Sequence, residues 1–186
     1  MIFENEAILK GIVVVHPHVL GDERGFFTDT YRRDIFSENG LHYDFVQEFY
    51  TGSTRGVVRG MHYQVPPFAQ AKLIRILSGE VYDVVVDLRK KSESFGKWVG
   101  FLLSASNGAQ LLIPEGFAHG FMVLSQWAEM QYKVSSYYHP ASERTLKWND
   151  PQIGIDWNSW ASHAPIVSEK DENGKRLAEA EWFEEL

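Results

Sequence analysis

Short runs in which apolar and polar residues alternate dominate the middle of the chain. Val81–Arg89 (VYDVVVDLR) places Tyr82, Val84, Val86 and Leu88 on one face and Asp83 and Asp87 on the other, the two-residue period of a strand. Just before it, Lys72–Leu77 (KLIRIL) meets the turn signal Ser78-Gly79-Glu80, so the two runs are predicted to pair as a β-hairpin. Further strands are predicted at Gly11–His16, Asp44–Tyr50, Val57–Gln64, Lys97–Ser104, Ala109–Ile113, Phe117–Leu124, Ala128–Ser135 and Thr145–Trp148. They are short and separated by turn residues, which indicates a sandwich or barrel. Two helices are predicted at the periphery. Arg32–Asn39 is followed by Gly40, a fitting residue just past a helix end. Leu177–Leu186 is acidic, with Leu177, Trp182, Phe183 and Leu186 spaced to dock on the body. No repeat, low-complexity segment or linker interrupts the pattern, so one domain over residues 1–186 is expected, with a packed C-terminal tail from about residue 165.

Polar residues on faces that otherwise read as interior are the first chemical clue. Lys72 shares its face with Ile74 and Ile76, Tyr132 with Met130 and Val134, and His119 with Phe121 and Val123. Lysine is rarely buried without a partner, so Lys72 is the most informative of the three. Each has an ordinary alternative: an edge lysine that snorkels, a core tyrosine with one hydrogen bond, a satisfied core histidine. In Arg55–Gln64 (RGVVRGMHYQ), strict alternation would put Arg59 and His62 on opposite faces. If both serve one site the strand must bulge, and Gly60 is where a bulge is easiest. Asp22–Phe27 sets Arg24 beside Phe26 and Phe27, a pairing suited to a phosphate and a stacked base, or equally a charged turn beside a core pair. Ser168–Asp171, read alone, is a solvated loop.

Composition narrows the class. Among 186 residues there is no Cys, which excludes a thiol nucleophile, a CxxC redox motif and a thiolate metal site. The formal charge of −7 argues against nonspecific binding to nucleic acid or an anionic membrane. It leaves room for a small anionic ligand held by a few basic residues gathered in a cleft. The opening MIFENEAILKGIVVV has no apolar run long enough for a signal peptide, and no run approaches the roughly 18 residues of a membrane span, so a soluble cytoplasmic protein is expected.

Gly108, Pro114, Gly116 and His119 fit the spacing G-x5-P-x-G-x2-H and resemble the second box of cupin barrels, although Val123 stands where that box ends in Asn. The first cupin box carries two histidines one residue apart; here only His62 is present, with Gln64 in the second place. The metal-ligand set is broken while the barrel signature survives, so a metal-free cupin is expected.

Arg55–Gln64 also resembles the RGVLRGLHYQ signature of the dTDP-4-dehydrorhamnose 3,5-epimerase family. The similarity runs through DERGFF (Asp22–Phe27), AKLIRILSGEVYDVVVDLR (Ala71–Arg89), IPEGFAHGF (Ile113–Phe121), YKVSSYYHP (Tyr132–Pro140), WNDPQIGIDW (Trp148–Trp157) and SEKD (Ser168–Asp171). The resemblance implies an all-β, cupin-type jelly-roll barrel with short peripheral helices. It implies a homodimer with shared active sites and no cofactor, acting on a dTDP-4-keto-6-deoxyhexose in deoxysugar biosynthesis. Carried over by residue, it implies His62 as general base, Asp171 as the carboxylate that orients it, Tyr132 as proton donor and Lys72 beside the sugar C4 oxygen. Arg59 and His119 match pocket residues, and Gln47, Glu143 and Lys170 match substrate contacts. Arg24 matches the arginine that reaches the diphosphate from the neighbouring subunit, in the same block as Phe27; Asp29 stands where Glu is usual, and Tyr138 matches the residue that stacks on thymine. Gln47-Glu48-Phe49 stands where the family commonly reads Q-D-N, so Phe49 replaces a substrate-contacting amide.

Those residue types suit the implied chemistry. Protons at C3 and C5 flank the C4 ketone, so removing either gives an enolate. Inversion needs a base on one face of the ring and an acid on the other. An imidazole with an unperturbed pKa of about 6.5 suits the base, and a carboxylate on its other nitrogen fixes the tautomer. Lys72 would offer a fixed charge to the enolate oxygen. A single-centre epimerase of another nucleotide-deoxysugar pathway and a non-catalytic sugar-nucleotide-binding cupin are the competing readings.

Overall fold

The computed structural model describes residues 1–161 and 163–186. Its strands are, in chain order, β1 (Ile2–Asn5), β2 (Val13–His16), β3 (Val19–Asp22), β4 (Gly25–Thr28), β5 (Gln47–Thr54), β6 (Val57–Gln64), β7 (Lys72–Ser78), β8 (Glu80–Asp87), β9 (Trp98–Ser104), β10 (Gln110–Ile113), β11 (Phe117–Val123), β12 (Trp127–Val134), β13 (Glu143–Thr145) and β14 (Ile166–Val167). Two short helices, α1 (Arg33–Glu38) and α2 (Glu169–Glu172), lie among them. One sheet runs β1-β2-β10-β7-β12-β5; the second runs β13-β6-β11-β8-β9, with β14 beside β6. β3 and β4 form a separate hairpin. The all-β architecture with short peripheral helices expected from the alternation is borne out.

Three apolar layers explain why these runs become strands. Ile74, Ile76, Leu111, Ile113 and Met130 of the first sheet meet Val81, Val85, Leu103, Phe121 and Val123 of the second between the sheets. Outside the first sheet, Val13, Val15, Leu73 and Leu112 are covered by Phe36 of α1 and by Phe3, Tyr31 and Phe45. Outside the second, Val58, Met61, Val84, Val86 and Met122 are covered by Leu146, Ile153, Trp157, Leu177 and Phe183 from the C-terminal part of the chain. The central strands are therefore covered on both faces, and all seven residues of β11 are buried.

This double covering corrects several expectations. Lys72–Ser78 and Glu80–Asp87 do not form a hairpin: β7 pairs with β10 and β12, whereas β8 pairs with β9 and β11. The chain passes from one sheet to the other at Gly79, whose φ of +77° and crowding against the Trp127 carbonyl leave no room for a side chain. Asp83 and Asp87, on the face opposite Tyr82, Val84, Val86 and Leu88, are fully buried as well. Asp87 accepts from the Arg89 guanidinium (2.9 and 2.7 Å) and backbone, and from the hydroxyls of Ser92 (2.8 Å) and Ser94 (2.6 Å). Burial raises its pKa, but these donors outweigh that and hold it below the usual carboxylate value.

The expected helix over Leu177–Leu186 is also absent. Only Leu177–Glu179 makes one tight 3-10 turn. Beyond it Phe183 exchanges backbone hydrogen bonds with Leu88 and Lys90, at 3.0 and 2.9 Å. A ten-residue helix is marginal in water, and the open backbone after β8 offers stronger partners. Phe183 is buried there, while Leu186 stays exposed. The last core strand begins earlier than expected, at Glu143, and ends at Thr145, and Asp44–Val46 precede β5 rather than joining it. β1, β14 and the β3–β4 hairpin carry too little alternation to have been foreseen.

Candidate active site

The bulge required to aim Arg59 and His62 at one site is present. His62 faces His119 across the β6–β11 ladder and Arg59 faces Phe121, so Gly60 and Met61 together oppose Gly120 alone. Gly60 has φ +138°, and a Cβ there would sit 2.5 Å from the Gly120 Cα. Glycine is needed for both the backbone conformation and the close approach. Met61 turns outward into the apolar layer of the second sheet, and Arg59 and His62 both line a cavity of about 280 Å³ between the sheets.

The inward polar residues converge on this cavity. His62, Arg59 and His119 come from the second sheet; Lys72, Tyr132 and Phe49 come from the first. Tyr138 and Glu143 also line it. Gln64, in the position of the missing second cupin histidine, is instead a loop anchor. Its amide bonds the backbones of Phe68 (2.6 Å), Tyr137 (3.3 Å) and His139 (2.7 Å).

His62 is oriented by a residue distant in sequence. Its Nε2 lies 2.6 Å from Asp171 Oδ1, and Asp171 Oδ2 accepts from the Gly60 N–H at 3.2 Å. Burial raises the Asp171 pKa, but the hydrogen bond and charge of His62, with the Gly60 N–H, hold it below the usual carboxylate range. Asp171 is therefore an ionised acceptor facing Nε2, which leaves Nδ1 as the ring nitrogen turned away from the carboxylate. The Ser168–Asp171 segment is no solvated loop. Ser168 caps α2, accepting from the Asp171 N–H at 3.2 Å, and Asp171 is buried. A serine followed three residues later by an acid was the signal available in the sequence.

A second buried pair lies beside the first. His119 Nε2 is 2.8 Å from Asp83 Oδ2, and Asp83 Oδ1 has no protein partner among the described residues. Burial pushes the His119 pKa down despite Asp83, with the charges of Lys72 and His62 adding to the fall. Sequence reasoning missed Asp83; its clue was a place on the same strand face as Val81 and Val85. Lys72 is buried, and its Nζ donates to the His62 carbonyl at 3.1 Å. Burial lowers its pKa to about 8, against the charges of Asp83 and Glu143.

Tyr132 stands directly across from Phe49 on β5, and burial pushes its phenol above the ordinary value. Near the cavity lining, Glu143 accepts from Tyr138 Oη at 2.9 Å and pairs with Lys170 at 2.6 Å. Desolvation would raise Glu143, but Lys170 and Tyr138 hold it low. Gln47 accepts from the Tyr138 N–H at 2.8 Å and so supports that loop. The structure does not bring Arg24, Phe27 and Asp29 into the cavity. They are exposed on or just after the β3–β4 hairpin, where Arg24 pairs with Asp22 at 2.5 Å.

Comparison with known proteins places this geometry. The dTDP-4-dehydrorhamnose 3,5-epimerase family model matches residues 6–179. The dTDP-4-dehydrorhamnose 3,5-epimerase of Shigella flexneri is 49% identical over 176 residues, 94% of this chain and 96% of that one. The dTDP-4-dehydrorhamnose 3-epimerase of Streptomyces niveus is 37% identical over 173 residues, 92% and 82% of the two chains. The crystal structure of the Legionella pneumophila dTDP-6-deoxy-D-glucose-3,5-epimerase in complex with dTDP-4-keto-L-rhamnose superposes with a TM-score of 0.91 at 42% identity, covering 96% of this chain and 94% of that one. The fold is thus the cupin jelly roll, and the chain belongs to the dTDP-4-dehydrorhamnose 3,5-epimerase family, a family of isomerases.

Proposed function

We propose that this chain inverts C3 and C5 of dTDP-4-dehydro-6-deoxy-D-glucose, giving dTDP-4-dehydro-L-rhamnose for dTDP-L-rhamnose formation. The observation that carries this reading is one cavity with the His62 imidazole, bonded to Asp171 of α2, on one sheet and the Tyr132 phenol on the other. His62 Nδ1 takes the proton from the carbon beside the ketone. The C–H electron pair becomes a C=C bond, and the carbonyl pair moves onto the C4 oxygen. Lys72, with Arg59 and His119 as neighbours, stabilises that oxyanion. Tyr132 then gives its proton to the same carbon from the opposite face as the ketone re-forms. His62 returns its proton to solvent and Tyr132 takes one up, restoring both groups for the second centre. Asp171 holds the tautomer and stabilises the imidazolium.

The nucleotide lies toward Tyr138, which stacks on thymine, with Gln47, Glu143 and Lys170 around it. Arg24, Phe27 and Asp29 act in trans within a homodimer: the hairpin beside which they sit leaves Phe26 (77% exposed) and Phe27 (66% exposed) largely uncovered. Large exposed aromatics on a lone hairpin mark a surface made for a partner.

In D2O, label is expected at both C3 and C5 of the product by NMR; label at one carbon alone would reject double inversion. Tyr132→Phe is expected to lower the inversion rate by about 10²–10⁴-fold, the range for a lost general acid, and an unchanged rate would remove Tyr132 as donor.

The pH dependence identifies the oxyanion group. Because kcat/KM reports the free enzyme, it is expected to fall as pH rises through about 8, where Lys72 loses its charge. Tyr132, shifted above its ordinary value, remains protonated there. Lys72→Met is expected to abolish that limb and to lower kcat/KM about 10²–10³-fold; a limb that persists in the variant would assign it to another group.

Mixing Arg24→Ala chains with His62→Ala chains tests the shared site. If Arg24 acts in trans, exchanged dimers contain one complete site and turn over more substrate than the two parents summed. No gain would place Arg24 in cis or outside the reaction.

A further inference from the structure

We propose that Phe49 is a positioning residue, holding the Tyr132 phenol on the face of the sugar opposite His62. The inference rests on the epimerase reading above and deepens it. Phe49 and Tyr132 are direct cross-strand partners, with ring centroids 5.2 Å apart and planes at 26°. That is the offset stack that aromatic quadrupoles favour. Ile74 flanks Tyr132 on the other side, across the β7–β12 ladder. Among the described residues no group hydrogen-bonds the Tyr132 hydroxyl, so its direction is set by packing on the ring. Tyr138 meets Phe49 edge-on at 6.5 Å and 90°, so Phe49 touches both the phenol and the residue that receives the base.

Phe49 has little else to do. It is half-buried on the edge strand β5, and it belongs to none of the three apolar layers. Shortening its side chain should therefore perturb the phenol far more than the fold. The chemistry makes such a perturbation visible. If the phenol swings away, His62 still removes the proton and forms the enolate. The imidazolium exchanges its proton with solvent and returns it to the face it came from. Deuterium then enters the sugar without inversion.

The experiment follows dTDP-4-dehydro-6-deoxy-D-glucose in D2O by NMR, recording inversion and deuterium wash-in separately for the parent, Phe49→Leu, Phe49→Tyr and Tyr132→Phe. Phe49→Leu is expected to lower the ratio of inversion to wash-in about five- to tenfold. Phe49→Tyr, which preserves the stack, is expected to keep the parent ratio. Thermal melts accompany each variant, and Phe49→Met replaces Phe49→Leu if the latter does not fold. A ratio unchanged in Phe49→Leu, or one lowered equally in Phe49→Tyr, overturns the proposal while leaving the epimerase reading intact. A Tyr132→Phe variant that inverts like the parent overturns the reading of the site, and the positioning role falls with it.

Discussion

Removing an ionised group from water costs several kcal/mol unless partners replace the lost hydration, and this barrel buries Lys72, Asp83 and His119 between its two sheets and Asp171 beside them. The His62–Asp171 contact is the arrangement on which the rest depends. Asp171 is kept ionised by the imidazole and by the Gly60 N–H, and in return it fixes which nitrogen of His62 is basic. That contact joins α2, late in the chain, to the bulge in β6. The bulge turns Arg59 and His62 toward the same space. A side chain at Gly60 would strike Gly120, so the bulge, the histidine tautomer and the cavity form a single constraint.

The neighbouring groups follow from the same requirement. Lys72 is held by a backbone carbonyl and lies in the field of two carboxylates, which leaves it cationic at neutral pH but close to titration. His119 is kept neutral by burial while its Nε2 is tied to Asp83. Tyr132 stays a phenol because burial disfavours the phenolate. Lys72 and Tyr132 are thus in the protonation states an enolate mechanism asks of them, a cationic stabiliser and a protonated acid.

Much of this was legible in the sequence because period-2 alternation reports which side chains share a sheet face. Lys72, Tyr132 and His119 stood out as polar residues in inward rows, and the structure gathers them. The need for a bulge at Gly60 followed from the spacing of Arg59 and His62. Alternation does not report which strand pairs with which. The β7–β8 turn therefore read as a hairpin, although Gly79 carries the chain between sheets. Nor does it reveal a polar residue in a strand covered on both sides, which concealed Asp83 and Asp87. Asp171 looked solvated because its burial comes from a contact with Gly60 and His62 more than a hundred residues away. The C-terminal run has helical composition, but the open backbone beyond β8 outcompetes a helix.

The central claim is that an imidazole and a phenol bracket one sugar from opposite walls. The most direct measurement is a crystal structure of this protein with a dTDP-4-keto-6-deoxyhexose bound. The expected electron density places the sugar ring between His62 Nδ1 on one face and the Tyr132 hydroxyl on the other, with the C4 oxygen toward Lys72. A sugar whose same face meets both groups, or one bound outside the cavity, would contradict the mechanism.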